Sequence, residues 1–272
     1  TVKKTAILGY PVKKSKSAII YRHWMEKYGI DGQFDMLEIT PSDLAVGIKH
    51  LIDNHYAGFC VTVPYKEKVM AFCDNVDNRA RQIGATNSIH IENGKLYATN
   101  TDVYGFIQNI KKEQPRFDFA YGPAVVLGAG GAARAVVYGL LEQGAPEIRL
   151  TNRTRARAEE IAKMSPRIVV IDWEEREEAL AAASLLVNTT TLGMEGQDPL
   201  KIQLDNLPTT ALVNDIVYYP LHTDLLKSAA AQGNPVVTGI GMLLHQACPS
   251  FKNWYGIDPE VTDDLKDRKS VV

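Results

Sequence analysis

The chain has 272 residues, 45% apolar and 23% charged, which makes two domains with separate cores the first expectation and a single barrel the alternative, and leaves no reason to expect a long disordered region. Its 30 basic and 32 acidic side chains give a formal charge of -2, so no broad field attracts nucleic acid or an anionic membrane. The longest apolar stretch, 124–141, is broken by Arg134 and several glycines and cannot span a bilayer, and the short run after Lys3 and Lys4 does not read as an export signal. Cys60, Cys73 and Cys248 are widely spaced, which fits small core residues in a reducing compartment. No histidine pair has ligand spacing, so the expectation is a cytoplasmic protein without a metal.

In chain order, the pattern predicts a strand over 5–10, a helix over 17–28 ending at Gly29, a strand over 34–39, a helix that Ser42 can cap running to Ile52, and a short strand from Gly58 closing at Pro64. Asn93-Gly94 stands between two strand-like runs, 85–91 and 95–98, and predicts a hairpin. The first region therefore mixes strand directions. A helical stretch beyond Asp102 breaks at Gln114-Pro115. Strands are then expected near 124–127, 147–152, 168–171, 185–189, 212–216 and 236–238, with helical patterns between most of them, which is doubly wound architecture. The segment from Gly239 to Tyr255 has helical spacing, with Pro249 as a kink, and should return to the first region.

At the first of these later strands, Gly128-Ala129-Gly130-Gly131-Ala132-Ala133 places G-x-G-x-x-A between a strand and a helix. Gly128 allows the tight turn, Gly130 lets backbone approach a pyrophosphate, and Ala133 permits close packing of helix on strand. The helix amino end adds N–H groups and a positive dipole. A bare glycine motif can be only a turn, but the next strand ends in Asn152-Arg153-Thr154, with Arg155 and Arg157 behind, where NAD-binding proteins place an acid. Guanidinium groups there suit a 2′-phosphate and favour NADP, although some of them can equally pair with Glu159 and Glu160.

Small polar residues mark the first region. Ser15 and Ser17 face one side if their loop is extended, or Ser17 caps a helix. Thr62 and Lys66 follow a strand at its carboxyl edge, and Asn87 and Asp102 sit near strand ends. Together Ser15-Lys16-Ser17, Val61 through Glu67, Gly84 through Asn87, Asn100-Thr101-Asp102, Gly128 through Ala132, Asn152-Arg153-Thr154 and Gly239 through Met242 with Gln246 appear in the order of one family. On these segments, which span nearly the whole sequence, the chain resembles the shikimate dehydrogenases.

The resemblance implies an α/β fold: an amino-terminal mixed-sheet substrate domain (1–103 with 239–272) and a Rossmann-like, doubly wound parallel-sheet cofactor domain (104–238). It implies that NADPH reduces 3-dehydroshikimate to shikimate with Lys66 and Asp102 as the catalytic pair. Ser15 and Ser17 would bind the substrate carboxylate, and Thr62, Asn87, Asp102, Tyr218 and Gln246 would contact its ring hydroxyls or shape the pocket. Gly128, Ala129, Gly130, Gly131, Ala132, Asn152, Arg153, Thr154 and Arg157 would hold the cofactor, with Thr189 and Thr190 near it and Ile216 and Gly239 beside its nicotinamide or ribose. Ala18 stands where many members have proline, and Cys60 where asparagine is common. A quinate or dual quinate/shikimate dehydrogenase would share this fold and pair, and a ligand sensor without turnover could retain the fold. The expected partners are the small-molecule substrate and, at most, a second copy, as a monomer or homodimer.

Overall fold

In the computed structural model, which describes residues 2–267, the chain divides after Gly105 and again after Met242. One unit is thus built from both ends of the sequence and a second from Phe106–Met242. The first begins with β1 (Lys3–Gly9), buried from Thr5 onward. A strand covered on both faces reads as a continuous apolar run rather than an alternation. Next come α1 (Ser17–Lys27), β2 (Gly32–Glu38), α2 (Leu44–Asp53) and β3 (Gly58–Val61). Strands β2 and β3 both pair in parallel with β1. Ser42 does not cap α2. A 3-10 turn at Pro41–Asp43 precedes that helix, and the Ser42 hydroxyl lies 3.3 Å from that of Thr40.

After β4 (Asn75–Val76) and α3 (Asn78–Ile83) come β5 (Ser88–Glu92) and β6 (Lys95–Thr99), the hairpin announced by Asn93-Gly94. Both turn residues have positive φ, 52° and 75°, as a type I′ turn requires. Strand β5 runs antiparallel to β3 and β6, making the order β2-β1-β3-β5-β6-β4 a mixed sheet. This reversal has a positional effect: the carboxyl ends of β3 and β6 and the amino end of β5 share one edge, beside the point where strand order changes direction at β1. Helix α4 (Asp102–Glu113) starts at that edge.

In the second unit β7 (Ala124–Leu127), α5 (Gly131–Glu142), β8 (Ile148–Asn152), α6 (Arg155–Ala162) and β9 (Ile168–Asp172) wind one way. Strands β10 (Leu185–Asn188), β11 (Leu212–Asp215) and β12 (Val236–Val237), with α7 (Asp224–Gln232), wind the other. All pairings are parallel, in the order β12-β11-β10-β7-β8-β9. Alternate strand residues feed two cores. Val126, Leu150, Val187 and Leu212 pack with Ala133, Val136 and Leu140 of α5, while Val125, Leu127, Leu186 and Val213 pack with Leu225, Leu226 and Ala229 of α7. The direction of winding switches between β7 and β10, where α/β sheets bind ligands at the strands' carboxyl ends.

Helix α8 (Ile240–Tyr255) continues through Pro249 and enters the first unit from Leu243, followed by α9 (Asp263–Asp267). Phe251 and Trp254 anchor it in an aromatic cluster with Tyr21, Trp24 and Phe34. Tyr21 stacks on Phe34 at 4.5 Å and Trp24 meets Phe251 edge-on at 5.3 Å. Burying a large apolar side chain contributes about 2–3 kcal/mol before entropy costs, enough to hold the returning helix to this sheet. Among the described residues no helix is long and apolar enough to cross a membrane, and no group of three His, Cys, Asp or Glu is placed to hold a metal.

Candidate active site

Asn100-Thr101-Asp102 turn β6 into α4. Asn100 Oδ1 accepts from the Asp102 N–H at 2.9 Å while its Nδ2 donates to the Ala85 carbonyl at 3.0 Å, fixing the first residue of the helix. Lys66 is fixed from the other side: the Tyr65 N–H donates to Thr62 O at 3.0 Å, the Thr86 N–H donates to Lys66 O at 2.8 Å, and buried Tyr65 donates its hydroxyl to Ile39 O. The two side chains meet, with Lys66 Nζ donating to Asp102 Oδ2 at 2.6 Å and side-chain exposures of 15% and 6%.

Asn87, at the amino end of β5, ties this pair to its surroundings. Its Nδ2 lies 2.7 Å from Thr101 Oγ1, 3.2 Å from Asp102 Oδ1 and 3.1 Å from Gln246 Oε1, and its Oδ1 accepts from the Thr101 N–H at 2.6 Å. Gln246 is oriented by donating Nε2 to Leu243 O at 2.8 Å within α8. A buried carboxylate is costly unless paired and hydrogen-bonded, and Asp102 is both. Lys66 spends one N–H on Asp102, and the two others can address an oxygen of a ligand.

Ser15 and Ser17 are brought together by each other rather than by the lysine. The Ser17 N–H donates to Ser15 Oγ at 3.2 Å, Lys16 has helical φ and ψ, and α1 starts at Ser17. The loop is therefore not extended, and it is the Ser15 hydroxyl that satisfies the helix start. Thr62 continues β3, its N–H donating to Leu8 O at 3.0 Å. Cys60 Sγ lies 3.3 Å from Tyr21 Oη. Burial pushes this thiol up to about 12; the Tyr21 hydrogen bond and Lys66 pull it down by less, and Asp102 adds to the rise.

In the second unit Gly128 follows β7 with φ of 110°, and a Cβ there would collide with Thr189 Oγ1, which itself donates to Leu127 O at 2.6 Å. Only glycine meets both conditions. At Gly130 a Cβ would meet nothing within 4 Å, so the backbone borders open space, and no side chain caps the α5 amino end. Ala129, Gly131 and Ala132 complete this turn. Asn152 Nδ2 donates to Thr154 O at 2.9 Å, shaping the exit from β8. Arg153, Arg155 and Arg157 are all exposed, and Arg155 pairs with Glu159 at 3.0 Å and Asp172 at 2.6 Å. Beyond β11, Ile216 and Gly239 are in close backbone contact, a Cβ at Gly239 falling on the Ile216 carbonyl, and Tyr218 is half-buried.

One group goes unmarked in the sequence. Asn188, Asp215 and Thr223 form a buried network at the ends of β10 and β11: Asp215 Oδ1 accepts from Asn188 Nδ2 at 3.1 Å and from the Val217 N–H at 3.0 Å, and Oδ2 accepts from Thr223 Oγ1 at 2.8 Å. Burial raises the Asp215 carboxyl from 3.8 to about 6, against these hydrogen bonds. A polar residue at a strand end resembles any turn residue, so only spatial convergence distinguishes it.

A switch-point glycine turn with an arginine-bearing edge in one unit, and a buried lysine–carboxylate pair braced by two carboxamides in the other, define a dinucleotide-dependent oxidoreductase of the two-unit α/β class. Known proteins narrow the class. The family model of the shikimate dehydrogenase substrate binding domain matches residues 7–89, and that of shikimate / quinate 5-dehydrogenase matches residues 111–194. The chain is 50% identical over 262 residues to shikimate dehydrogenase (NADP(+)) of Paramagnetospirillum magneticum, covering 96% of this chain and 95% of that protein. It resembles the crystal structure of Thermus thermophilus shikimate 5-dehydrogenase in complex with NADP(H) and shikimate (TM-score 0.85, 34% identity, 95% of each chain). It also resembles quinate dehydrogenase from Corynebacterium glutamicum in complex with NAD (TM-score 0.89, 26% identity, 97% of this chain and 98% of that one). The chain belongs to the shikimate dehydrogenase family.

Proposed function

We propose that the chain catalyses the reversible, NADP-dependent reduction of 3-dehydroshikimate to shikimate, a step of aromatic amino-acid biosynthesis, with Lys66 and Asp102 as its acid–base pair. The observation that carries this reading is the 2.6 Å contact of Lys66 Nζ with Asp102 Oδ2, braced by Asn87, in a chain of this family. The residues of the second unit fit the dinucleotide: an α5 amino end without a side-chain cap, open space at Gly130, and Arg153 where an acid would select NAD.

When bound, the nicotinamide supplies the hydride. The remaining tasks fall on side chains. Hydride arrival at a carbonyl carbon leaves negative charge on its oxygen, which Lys66 Nζ stabilises and protonates. In the opposite direction the same nitrogen takes the hydroxyl proton. Asp102 aligns Nζ and accepts from a substrate hydroxyl. Asn87, Thr62, Gln246 and Tyr218 contact the ring hydroxyls, and Ser15 and Ser17 hold the carboxylate. Gly128 through Ala132 hold the pyrophosphate, Asn152, Arg153, Thr154 and Arg157 the 2′-phosphate, Thr189 lies near the cofactor, and Ile216 and Gly239 serve the nicotinamide end. The activity belongs in the cytoplasm, where the free Cys60, Cys73 and Cys248 stay reduced, in a monomer or homodimer.

The test follows NADPH formation with shikimate or quinate and with NADP+ or NAD+, in wild type and Lys66→Ala. Shikimate with NADP+ should give the highest kcat/KM. Lys66→Ala should lower kcat by about 100-fold to 10,000-fold, with a smaller change in the KM for shikimate. Preference for quinate and NAD+ would replace the substrate assignment, and an unchanged kcat would remove Lys66 from the mechanism.

A further inference from the structure

The second unit carries a buried acid that the proposed mechanism does not use. Asp215 is 1% exposed, has no ion-pair partner among the described residues, and receives hydrogen bonds from three segments: Asn188 of β10, the Val217 N–H two residues on, and Thr223. Thr223 in turn caps α7, accepting from the Leu226 N–H at 3.3 Å. Desolvation works against such a carboxylate. Its placement is thus costly to the fold, yet its three donors fix a particular piece of backbone.

That backbone is Ile216. The Asp215–Val217 bond closes a turn around it. Its N–H donates to Asn188 O at 3.1 Å, and its carbonyl lies so close to Gly239 that no side chain fits between them. Asn188 also holds Thr190, its Oδ1 accepting from the Thr190 N–H at 3.0 Å and from Oγ1 at 2.7 Å, next to the Thr189 that packs on Gly128. One carboxylate therefore couples Thr189–Thr190, Ile216 and Gly239.

We propose that Asp215 is a positioning residue for the nicotinamide end of the dinucleotide, acting through the Ile216 backbone and the Asn188–Thr190 turn that it ties together. The inference rests on the assignment of Ile216 and Gly239 to that end of the cofactor. Hydride transfer is sensitive to sub-ångström displacement of its donor, so loosening this turn slows the chemistry without touching the adenosine end.

The test uses the full chain as wild type, Asp215→Leu and Asp215→Asn. Calorimetry measures the affinity of NADP+ and of adenosine 2′,5′-bisphosphate, which carries the 2′-phosphate end but no nicotinamide. Turnover is followed with shikimate deuterated at the reacting carbon. Asp215→Leu should weaken NADP+ about tenfold, leave the bisphosphate within about twofold, and enlarge the isotope effect on kcat. Asp215→Asn, which keeps the shape and one acceptor, should restore most of both properties. Equal weakening of the two ligands, no weakening of NADP+, or failure of Asn to rescue would overturn the role. If Asp215→Leu does not fold, Thr223→Val, which removes the Oδ2 bond together with the α7 cap but keeps the carboxylate and its other two donors, should show the same selective loss at smaller size. A wild type that binds neither ligand would instead overturn the cofactor assignment on which the role depends, and the role with it.

Discussion

Truncating Asn87 to alanine strands four partner atoms at once, because the Thr101 N–H, Thr101 Oγ1, Asp102 Oδ1 and Gln246 Oε1 all face its amide. Orphaned buried polar groups cost about 1–3 kcal/mol each, so Asn87→Ala should lose at least that much stability by denaturant titration. It should also lower kcat/KM, since the carboxylate that aligns Lys66 loses a brace. Wild-type stability with full activity would show that the amide is idle. Cys60 invites the opposite expectation. With its thiol pushed up to about 12 by burial, almost none is thiolate at pH 8, and the thiolate is the reactive form. Ellman's reagent should therefore leave Cys60 unlabelled until the chain unfolds, and stoichiometric labelling of a native variant that has Cys60 but alanine at the partly buried Cys73 would contradict the burial. At this scale the sequence marks Lys66 and Asp102 through motif order. It does not mark Asp215, since an acid between Asn214 and Ile216 reads as a strand running into a turn.

At the scale of elements, what is visible in the chain is what burial on both faces imposes. The run at β7 is wholly apolar, β10 and β11 open apolar before ending in Asn188 and in Asn214-Asp215, and Asn93-Gly94 dictates a hairpin through its positive φ values. Strand β4 and helix α3 are two and six residues long, too short for either periodicity to emerge. The glycine turn separates fold from binding. Gly128→Ala forces a side chain into positive φ and against Thr189, so it should reduce both stability and NADP+ affinity. Gly130→Ala meets nothing within 4 Å and has φ of -94°, so its melting temperature should hold while NADP+ affinity falls. Equal effects from the two substitutions would mean that the turn is structural only. The β11 end gives a pH prediction. The folded pKa of Asp215 is raised from 3.8 to about 6, so its stability contribution is fully present below 3.8 and is lost as pH rises through about 6. Asp215→Asn does not titrate. Relative to wild type it should gain about 2 kcal/mol between pH 4.5 and pH 7.5 in denaturant unfolding. A pH-independent difference would place the carboxyl near its ordinary value.

For the whole molecule, the consequence of two cores is that ligands should stabilise different stretches of sequence. The mixed-sheet unit carries Lys66, Asn87, Asp102 and Gln246, and the parallel-sheet unit carries Gly128, Arg153, Thr189 and Ile216. A ligand that binds only the folded state stabilises it by about 2.7 kcal/mol at one hundred times its Kd, and that stabilisation appears first as slower amide exchange in the segments it orders. NADP+ alone should therefore protect the turn between β7 and α5 and the segments after β8 and β11. Shikimate alone should protect residues 61–66, 87 and 100–102, together with the α8 segment around Gln246. The composition does not show this division, but the switch near Ala124 to a more regular alternation of strand and helix does, because each pattern needs its own layers to bury its apolar faces. Protection by NADP+ confined to the mixed sheet would reverse the assignment of the two units. Equal protection of both by either ligand would mean that they unfold as one body, in which case exchange could not separate the two sites and the substitutions at Gly130 and Asn87 would have to do so.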